Sequence, residues 1–346
     1  MRWWLVPDPE PHVLSAVVPL HRRPTAGVAM CVYNGAKYLR EQLDSIARQS
    51  ELPRSMVVID DGSSDGSWEL LTDWAAKSPF AVHLHRNTTN LGVVKNFERA
   101  IGMTSEDVVF LSDQDDVWRR NKIATFLDAF SARPDVQLIH SDADLIDSEG
   151  RPLQRRLFDT LLVTPRERAL VNAGQAYRVY VKRNLVTGAS CAFRRELLGL
   201  AAPFSPEWVH DEWLAFAAAL GPGVALLAET TMSYRLHSAN VVGIPITNWR
   251  WRLTTSVNAL LQPSAPAQGA RAVRLRQIQL LAHRLDAPAE AMSFIDRAAR
   301  HAEFRAALPK NPFKRIRGIF REARQGNYHE WSGGEASMVH DLFLAN

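Results

Sequence analysis

The stretch Ser112-Asp113-Gln114-Asp115-Asp116-Val117-Trp118 places three carboxylates within four positions, directly after the apolar run 108–111. That run reads as a buried strand, so Asp113, Asp115 and Asp116 gather where a strand leaves the core. Carboxylates crowded at such a point repel one another unless something positive lies among them. A hard divalent cation, Mn2+ or Mg2+, suits this chemistry. It takes oxygen ligands, needs one or two protein carboxylates, and fills its remaining positions with water and substrate phosphates. The plain alternative is a solvated acidic loop capping the next helix, 121–131, and an Asp-x-Asp pattern alone does not choose between the two.

The elements that must position this cluster follow from hydrophobic periodicity. Residues 27–33 form an apolar strand closed by Asn34-Gly35, and Leu39, Leu43 and Ile46 then recur at helical spacing over 36–49. The pattern repeats with strand 56–59, the turn Asp60-Asp61-Gly62-Ser63-Ser64-Asp65-Gly66, and a helix over 67–77. A third pass runs from 80–84 through Asn87 to Gly92 into a helix at 93–101, and the fourth is the strand before the acidic cluster with its helix. A further strand is expected at 136–140. Such alternation argues for a mainly parallel sheet with helices on both faces, in which ligands bind beyond the carboxyl ends of the strands. Tyr33, Asn34, Asp60, Asp61, Asn90, Gly92 and the acidic cluster would then share one crevice. Asp60 and Asp61 suit hydrogen bonds from a base N–H or a ribose hydroxyl; alternatively they form a turn capping the helix near Ser67.

Composition narrows the class. The chain has 346 residues, enough for one large domain or two. A net charge of +4 fits anionic partners, but no nucleic-acid-binding motif is present. The two cysteines, Cys31 and Cys191, supply no disulfide framework or zinc cage and read as buried free thiols in a reducing compartment. No apolar run is long enough to cross a bilayer, and residues 1–24 read as a loosely held, proline-rich leader without signal-peptide character. The loop Tyr33-Asn34-Gly35-Ala36-Lys37 lacks the Gly-x-Gly-x-x-Gly turn of a dinucleotide fold, and no Gly-x-x-x-x-Gly-Lys-Ser/Thr loop occurs. A diphosphate would therefore be neutralised by a carboxylate-held metal.

Four blocks in order, the first strand into Tyr33-Asn34-Gly35, Val57 to Asp65, Asn87 to Gly92, and Asp113-Gln114-Asp115-Asp116, resemble the family-2 glycosyltransferases, with the nucleotide-diphospho-sugar transferase (GT-A type) fold. Tyr234-Arg235-Leu236-His237 and Asn240-Val241-Val242-Gly243 are similar to the rhamnosyltransferase-like subgroup. The resemblance covers roughly residues 25–243 and implies an α/β catalytic domain over 25–245; the Ala-, Leu-, Arg- and Gln-rich remainder, 246–346, reads on composition as a helical extension. It implies an inverting, metal-assisted transfer of rhamnose or a similar hexose from a dTDP- or UDP-linked donor. The acceptor would be a hydroxyl of a bacterial cell-surface glycan or polyprenyl-linked glycan, handled in the cytoplasm at the inner face of the membrane. Asp60 and Asp61 would hold base and ribose, Asp113 would lie near the ribose, and Asp115 would hold the metal.

The same resemblance points to Asp211 in Val209-His210-Asp211-Glu212-Trp213 as the base, with Glu212 as second choice and His210 standing where Glu is commoner. At a helix N-terminus a carboxylate is normally stabilised in its charged form without gaining basicity; the alternative is a simple capping residue. Arg235 could return to the diphosphate and His237 could be a further metal ligand, or a satisfied structural histidine. Gly188-Ala189-Ser190 reads as a flexible acceptor-side loop or a tight turn. Trp118 reads as core before sugar platform, and His140, Asp142, Asp144 and Asp147 read as loop structure. In the extension, helices are expected over 271–285 and 287–308. Residues 310–324 combine Phe313, Ile316, Ile319 and Phe320 with Lys314, Arg315, Arg317, Arg321 and Arg324, a composition suited to peripheral membrane contact or to ordinary packing. Rival readings are a sugar nucleotidyltransferase, whose glycine- and arginine-rich triphosphate signature is missing, and an inactive binding scaffold of the same fold.

Overall fold

The computed structural model describes residues 22–221, 223–237 and 264–344. Most of the leader, the Asn240 to Gly243 motif and the first part of the extension lie outside the described residues. Four strand and helix pairs open the fold: β1 (Ala26–Val32) and α1 (Ala36–Ala47), β2 (Ser55–Asp60) and α2 (Ser67–Ala75), β3 (Ala81–Arg86) and α3 (Val93–Gly102), β4 (Val108–Ser112) and, after the short β5 (Val117–Trp118), α4 (Lys122–Ala132). β6 (Leu138–Ile146), β7 (Pro152–Arg156), β8 (Cys191–Arg194) and β9 (Val224–Arg235) complete one sheet. Its order is β3-β2-β1-β4-β8-β6-β9-β5, with β7 pairing to β6.

β1 to β4 run parallel, as the alternation predicts, and every residue of β2 and β4 is buried. Strands covered on both faces read as unbroken apolar runs, which is why these are plain in the sequence. β3 is the edge, and its His83, His85 and Arg86 mark the exposed side. The second half of the sheet is mixed. β8 enters antiparallel between β4 and β6, and β6 runs parallel to β9. The expected loop at His140, Asp142 and Asp144 is instead the middle of β6, whose ladders with β8 and β9 satisfy its backbone; Asp147 follows the strand. His140 and Asp142 are buried there, His140 bonding Tyr180 Oη at 3.1 Å.

Short helices α5 (Leu157–Thr160), α6 (Pro165–Asn172), α7 (Tyr177–Tyr180) and α8 (Leu197–Ala201) lead to α9 (His210–Leu220), buried along nearly its whole length. The described part of the extension is helical: α10 (Ser264–Arg284), α11 (Ala289–Ala306), α12 (Pro312–Arg324), α13 (Asn327–Trp331) and α14 (Glu335–Leu344). Leu275, Ile278 and Ile295 join the same core as β1 and β4. Beyond them a smaller cluster forms around Leu308, Ile319 and Tyr328.

That smaller cluster is pinned by a buried carboxylate. Asp341 accepts from Arg305 Nε at 2.6 Å and Nη2 at 2.9 Å, from Ser264 Oγ at 2.7 Å and from Tyr328 Oη at 2.8 Å. Burial pushes its pKa up, but Arg305, Ser264 and Tyr328 outweigh that and hold it below the usual carboxylate range. A depressed folded pKa stabilises above the unfolded value of about 3.9 and is lost as pH falls through the folded value. Asp341→Ala would leave the Arg305 guanidinium buried and unpaired, and should lower unfolding free energy at neutral pH by about 3–5 kcal/mol in urea titration. A change under about 1 kcal/mol would mean that this bridge does not hold the extension together.

Candidate functional site

The loops leaving β1, β2 and β4 are stitched side by side. The Gln114 carboxamide accepts from Tyr33 N at 2.8 Å and donates to Tyr33 O at 3.1 Å, clamping the end of β1 to the acidic turn. A Cβ on Gly35 would land 2.3 Å from Gln114 Oε1, so glycine here lets the clamp close. Asn34 takes a left-handed conformation with φ of 48° and exchanges bonds with the β2 loop, accepting from Ser64 N and donating from its own N to Ser63 Oγ, both at 2.9 Å. Tyr33 is half exposed and Asn34 and Asn90 are exposed beside it.

Asp60 and Asp61 face inward. Asp60 is fully buried, paired to Arg86 Nε at 3.0 Å and accepting from Ser63 N. Asp61 accepts from Asn87 Nδ2 at 2.6 Å, Leu91 N at 2.9 Å and Gly92 N at 3.0 Å. It thereby folds the Asn90 to Gly92 loop, where Gly92 has φ of 80°. The expected capping of the helix at Ser67 falls to Asp65, which accepts from Ser67 N at 3.1 Å and also from Ala36 N of α1 at 2.9 Å.

The acidic cluster sits where the sequence places it, but the positive charge around it comes from side chains as well. Asp115 Oδ2 lies 2.8 Å from His237 Nε2. Asp116 Oδ1 accepts from Arg235 N at 2.9 Å, and its Oδ2 is buried with no hydrogen-bond partner among the described residues. Arg235, expected to reach a diphosphate, is buried. Its guanidinium pairs with Glu41 at 2.6 Å, donates to Asp115 O at 2.7 Å, and stacks over Tyr38 at 4.7 Å. Lys122, which the sequence reading passed over, is fully buried in the first turn of α4; its Nζ donates to Ala189 O at 2.5 Å and lies 4.4 Å above the Trp118 ring. A lysine beside Ile123 at the start of a helix whose Ile123, Phe126, Leu127 and Phe130 face the core was the signal for it. Burial lowers its pKa to about 7, against the pull of Asp116 and Asp113. Burial and the charges of Asp115 and Asp211 push Asp113 up to about 7, and burial with the charges of Asp115 and Asp113 raises Asp116 well above the usual carboxylate range. Trp118 is core, packed at 5.8 Å on Phe110.

Asp211 joins this group through the fold. It is buried in the first turn of α9, accepting from Gly188 N and from Glu212 N, both at 2.7 Å. The N-cap position is Val209, which makes no side-chain cap, so Asp211 is not a plain capping residue. The expectation of an unraised pKa is corrected here: burial outweighs the backbone N–H groups and pushes it up to about 6. Of the two readings of Gly188 to Ser190, the structure shows the tight turn: a buried 3-10 turn tied through Ala189 to Lys122. His210 stacks on Phe97 at 4.0 Å, and burial pushes its pKa down to about 3, so it is neutral. Glu212 is bonded by Arg274 of α10. Cys191 is buried, but Cys31 only partly so, and both thiols are free.

The donor set suits a divalent cation. Asp115 and His237 offer an oxygen and a nitrogen side by side at the partly exposed mouth, with the unpartnered Asp116 Oδ2 behind. Among the described residues no three such side chains form a metal cage.

Gly188 faces His210 and Asp211 so closely that a Cβ would lie 3.1 Å from His210 Nε2 and 3.5 Å from Asp211 Oδ2. Because Phe97 backs the imidazole, Gly188→Ala should overpack the turn and cost about 1–3 kcal/mol in denaturant unfolding. Unchanged stability would show that this corner yields easily.

Comparison with known proteins meets this geometry. The profile described as Glycosyl transferase family 2 matches residues 27–199. An uncharacterised glycosyltransferase of Nostoc, alr2836, is 26% identical over 212 residues, 60% of this chain and 63% of its own. The dTDP-rhamnosyl transferase RfbG of Shigella flexneri is 31% identical over 103 residues, 29% of this chain and 36% of its own. The match to the Nostoc protein thus spans under two thirds of that relative's length. Among solved structures, S. aureus TarS 1–349 in complex with UDP-GlcNAc superposes with a TM-score of 0.55 at 16% identity, over 92% of this chain and 81% of that one, a likeness of fold. With half of its length in the family profile, this chain belongs to glycosyl transferase family 2.

Proposed function

We propose that the protein is an inverting glycosyltransferase that moves rhamnose or a similar hexose from a dTDP- or UDP-linked donor to a hydroxyl of a bacterial cell-surface or lipid-linked glycan. The observation that carries this reading is the buried Asp211, its pKa raised to about 6 and its charge felt by Asp113 across the cleft. Such a carboxylate is ionised near neutral pH yet more basic than a solvated one, which suits a general base. Similarity to RfbG supports a deoxyhexose donor linked to dTDP.

In this reading the donor lies over the ends of β1, β2 and β4. Tyr33, Asn34 and Asn90 face the base and ribose, while Asp60, Asp61 and Gly92 hold the loops that shape that pocket. Asp113 meets the ribose, and Arg235 keeps the acidic turn in place from behind. Asp115 and His237 would hold Mn2+ or Mg2+, which supplies positive charge for the departing diphosphate. Asp211 takes the proton of the acceptor hydroxyl while the acceptor oxygen bonds C1 from the face opposite the leaving group. The C1–O bond to the diphosphate breaks with its electron pair, and the anomeric configuration inverts. Glu212, held by Arg274, keeps the first turn of α9 in register.

Two measurements test this. In a thermal-shift panel of UDP, dTDP, GDP and CDP with and without Mn2+, UDP or dTDP should raise the melting temperature only with the metal, and Asp115→Ala should abolish the shift. No shift with any nucleotide in folded protein would point to a scaffold. In transfer assays Asp211→Asn should keep the nucleotide shift yet lose about 10²–10⁴-fold in rate. The wild-type rate should rise with pH through about 6, because the base works only when ionised. A flat profile from pH 5 to 8 would remove Asp211 from that role.

A further inference from the structure

The outer side of α12 carries groups that nothing in the glycosyl-transfer reading uses. Phe313 is 83% exposed, Phe320 54% and Ile316 38%. At 3.6 residues per turn these three fall on one outward strip, with Arg317, Arg321 and Arg324 along its flank and Lys310 and Lys314 beyond. All five of these basic residues are exposed, and none of them forms an ion pair among the described residues. The opposite side is fixed inward: Ile319 is buried, and Gly318 abuts Phe304. Arg315 is buried and donates to Pro309 O at 2.5 Å and to Lys310 O at 2.7 Å. The one acid of the helix, Glu322, also turns inward, to His301 Nδ1 at 3.0 Å and Asn327 Nδ2 at 2.8 Å.

A second helix, α14, packs against the inward side of α12. Arg315 Nη1 donates to Asp341 O and Leu342 O, which brings the end of α14 against α12. Val339, Phe343 and Leu344 of α14 are 58%, 67% and 37% exposed. Large apolar side chains gathered beside unpaired cations, with Glu322 of α12 and Asp341 of α14 both turned inward, are costly in water. A lipid surface satisfies both halves at once, with aromatic rings among the acyl chains and arginines at anionic headgroups.

We propose that α12, with the exposed face of α14, docks the protein on an anionic membrane surface, with Phe313 and Phe320 inserted and Lys314, Arg317, Arg321 and Arg324 at the headgroup phosphates. This builds on the proposed transfer to a lipid-linked acceptor but is read separately from it. A protein held at the surface meets such an acceptor by diffusion in two dimensions.

The test is co-sedimentation of the full chain with vesicles of phosphatidylglycerol and phosphatidylcholine against vesicles of phosphatidylcholine alone, at about 0.1 M salt. Two variants accompany it, Phe313→Glu with Phe320→Glu, and Arg317→Glu with Arg321→Glu and Arg324→Glu. All sites are exposed, so both variants should melt as wild type does. Wild type should prefer the anionic vesicles by about tenfold or more and lose the preference as salt rises, and each variant should lose about tenfold in partitioning. Equal binding to both vesicle types, or variants that bind as wild type, would overturn the proposal. So would a dimer in size-exclusion chromatography that Phe313→Glu splits in protein that ignores vesicles, since a second copy would then cover the face. Nucleotide thermal shifts on the same variants should be unchanged, so a failed membrane assay leaves the donor-site reading standing, and a failed nucleotide assay leaves this one standing.

Discussion

Negative charge gathered out of water is unstable unless cations are gathered with it, and the end of this sheet collects Asp113, Asp115, Asp116 and Asp211. The chain answers with three basic groups from three places. Lys122 comes from the start of α4, Arg235 from the end of β9, and His237 from the residues just after it. Each is itself tied to backbone or to an aromatic ring: Lys122 to Ala189 O and Trp118, Arg235 to Asp115 O and Tyr38, His237 against Tyr38 at 5.0 Å. The balance is incomplete. Asp113 remains raised to about 7 and Asp116 retains an unpartnered oxygen, so the site still favours an incoming positive charge.

This balance also explains why β4 and β9 must approach one another although 111 residues of sequence lie between Ser112 and the start of β9 at Val224. The pairing of Val117 and Trp118 with Ser233 and Met232 brings Arg235 to Asp116. The turn after β4 therefore carries Asp113, Asp115 and Asp116, and the end of β9 returns Arg235 to it.

How far the sequence carried the reading depends on the range of the interactions involved. β1 to β4 and their helices were plain because burial on both faces writes unbroken apolar runs, and periodicity is a local property. β6 was missed beyond His140 because His140-Ser141-Asp142-Ala143-Asp144 looks like loop chemistry. Only its ladders with β8 and β9 make those residues strand. The acidic cluster was visible as a pattern, but its ionisation was not. Asp211 was read as a carboxylate of ordinary basicity at a helix start. The burial that shifts it comes from a core in which Gly188, Phe97 and His210 converge from distant parts of the chain. Lys122 was passed over for the same reason, because its partner Ala189 is 67 residues away.

The first two described helices of the extension share the core of the sheet. Arg274 of α10 bonds Glu212 and stacks on Trp208 at 3.8 Å, while Trp208 Nε1 donates back to Arg274 O at 3.2 Å and packs on Phe216 of α9. Glu212 adjoins Asp211, so α10 packs against the first turn of α9. Burial of that turn is the first cause of the raised Asp211 pKa, and burial likewise raises Glu212 against the pull of Arg274. The dryness that makes Asp211 basic is thus supplied jointly by the sheet, through Gly188, and by the extension, through its cover over α9. A boundary drawn near residue 245 separates two patterns of sequence, but the physical unit that tunes the site spans both.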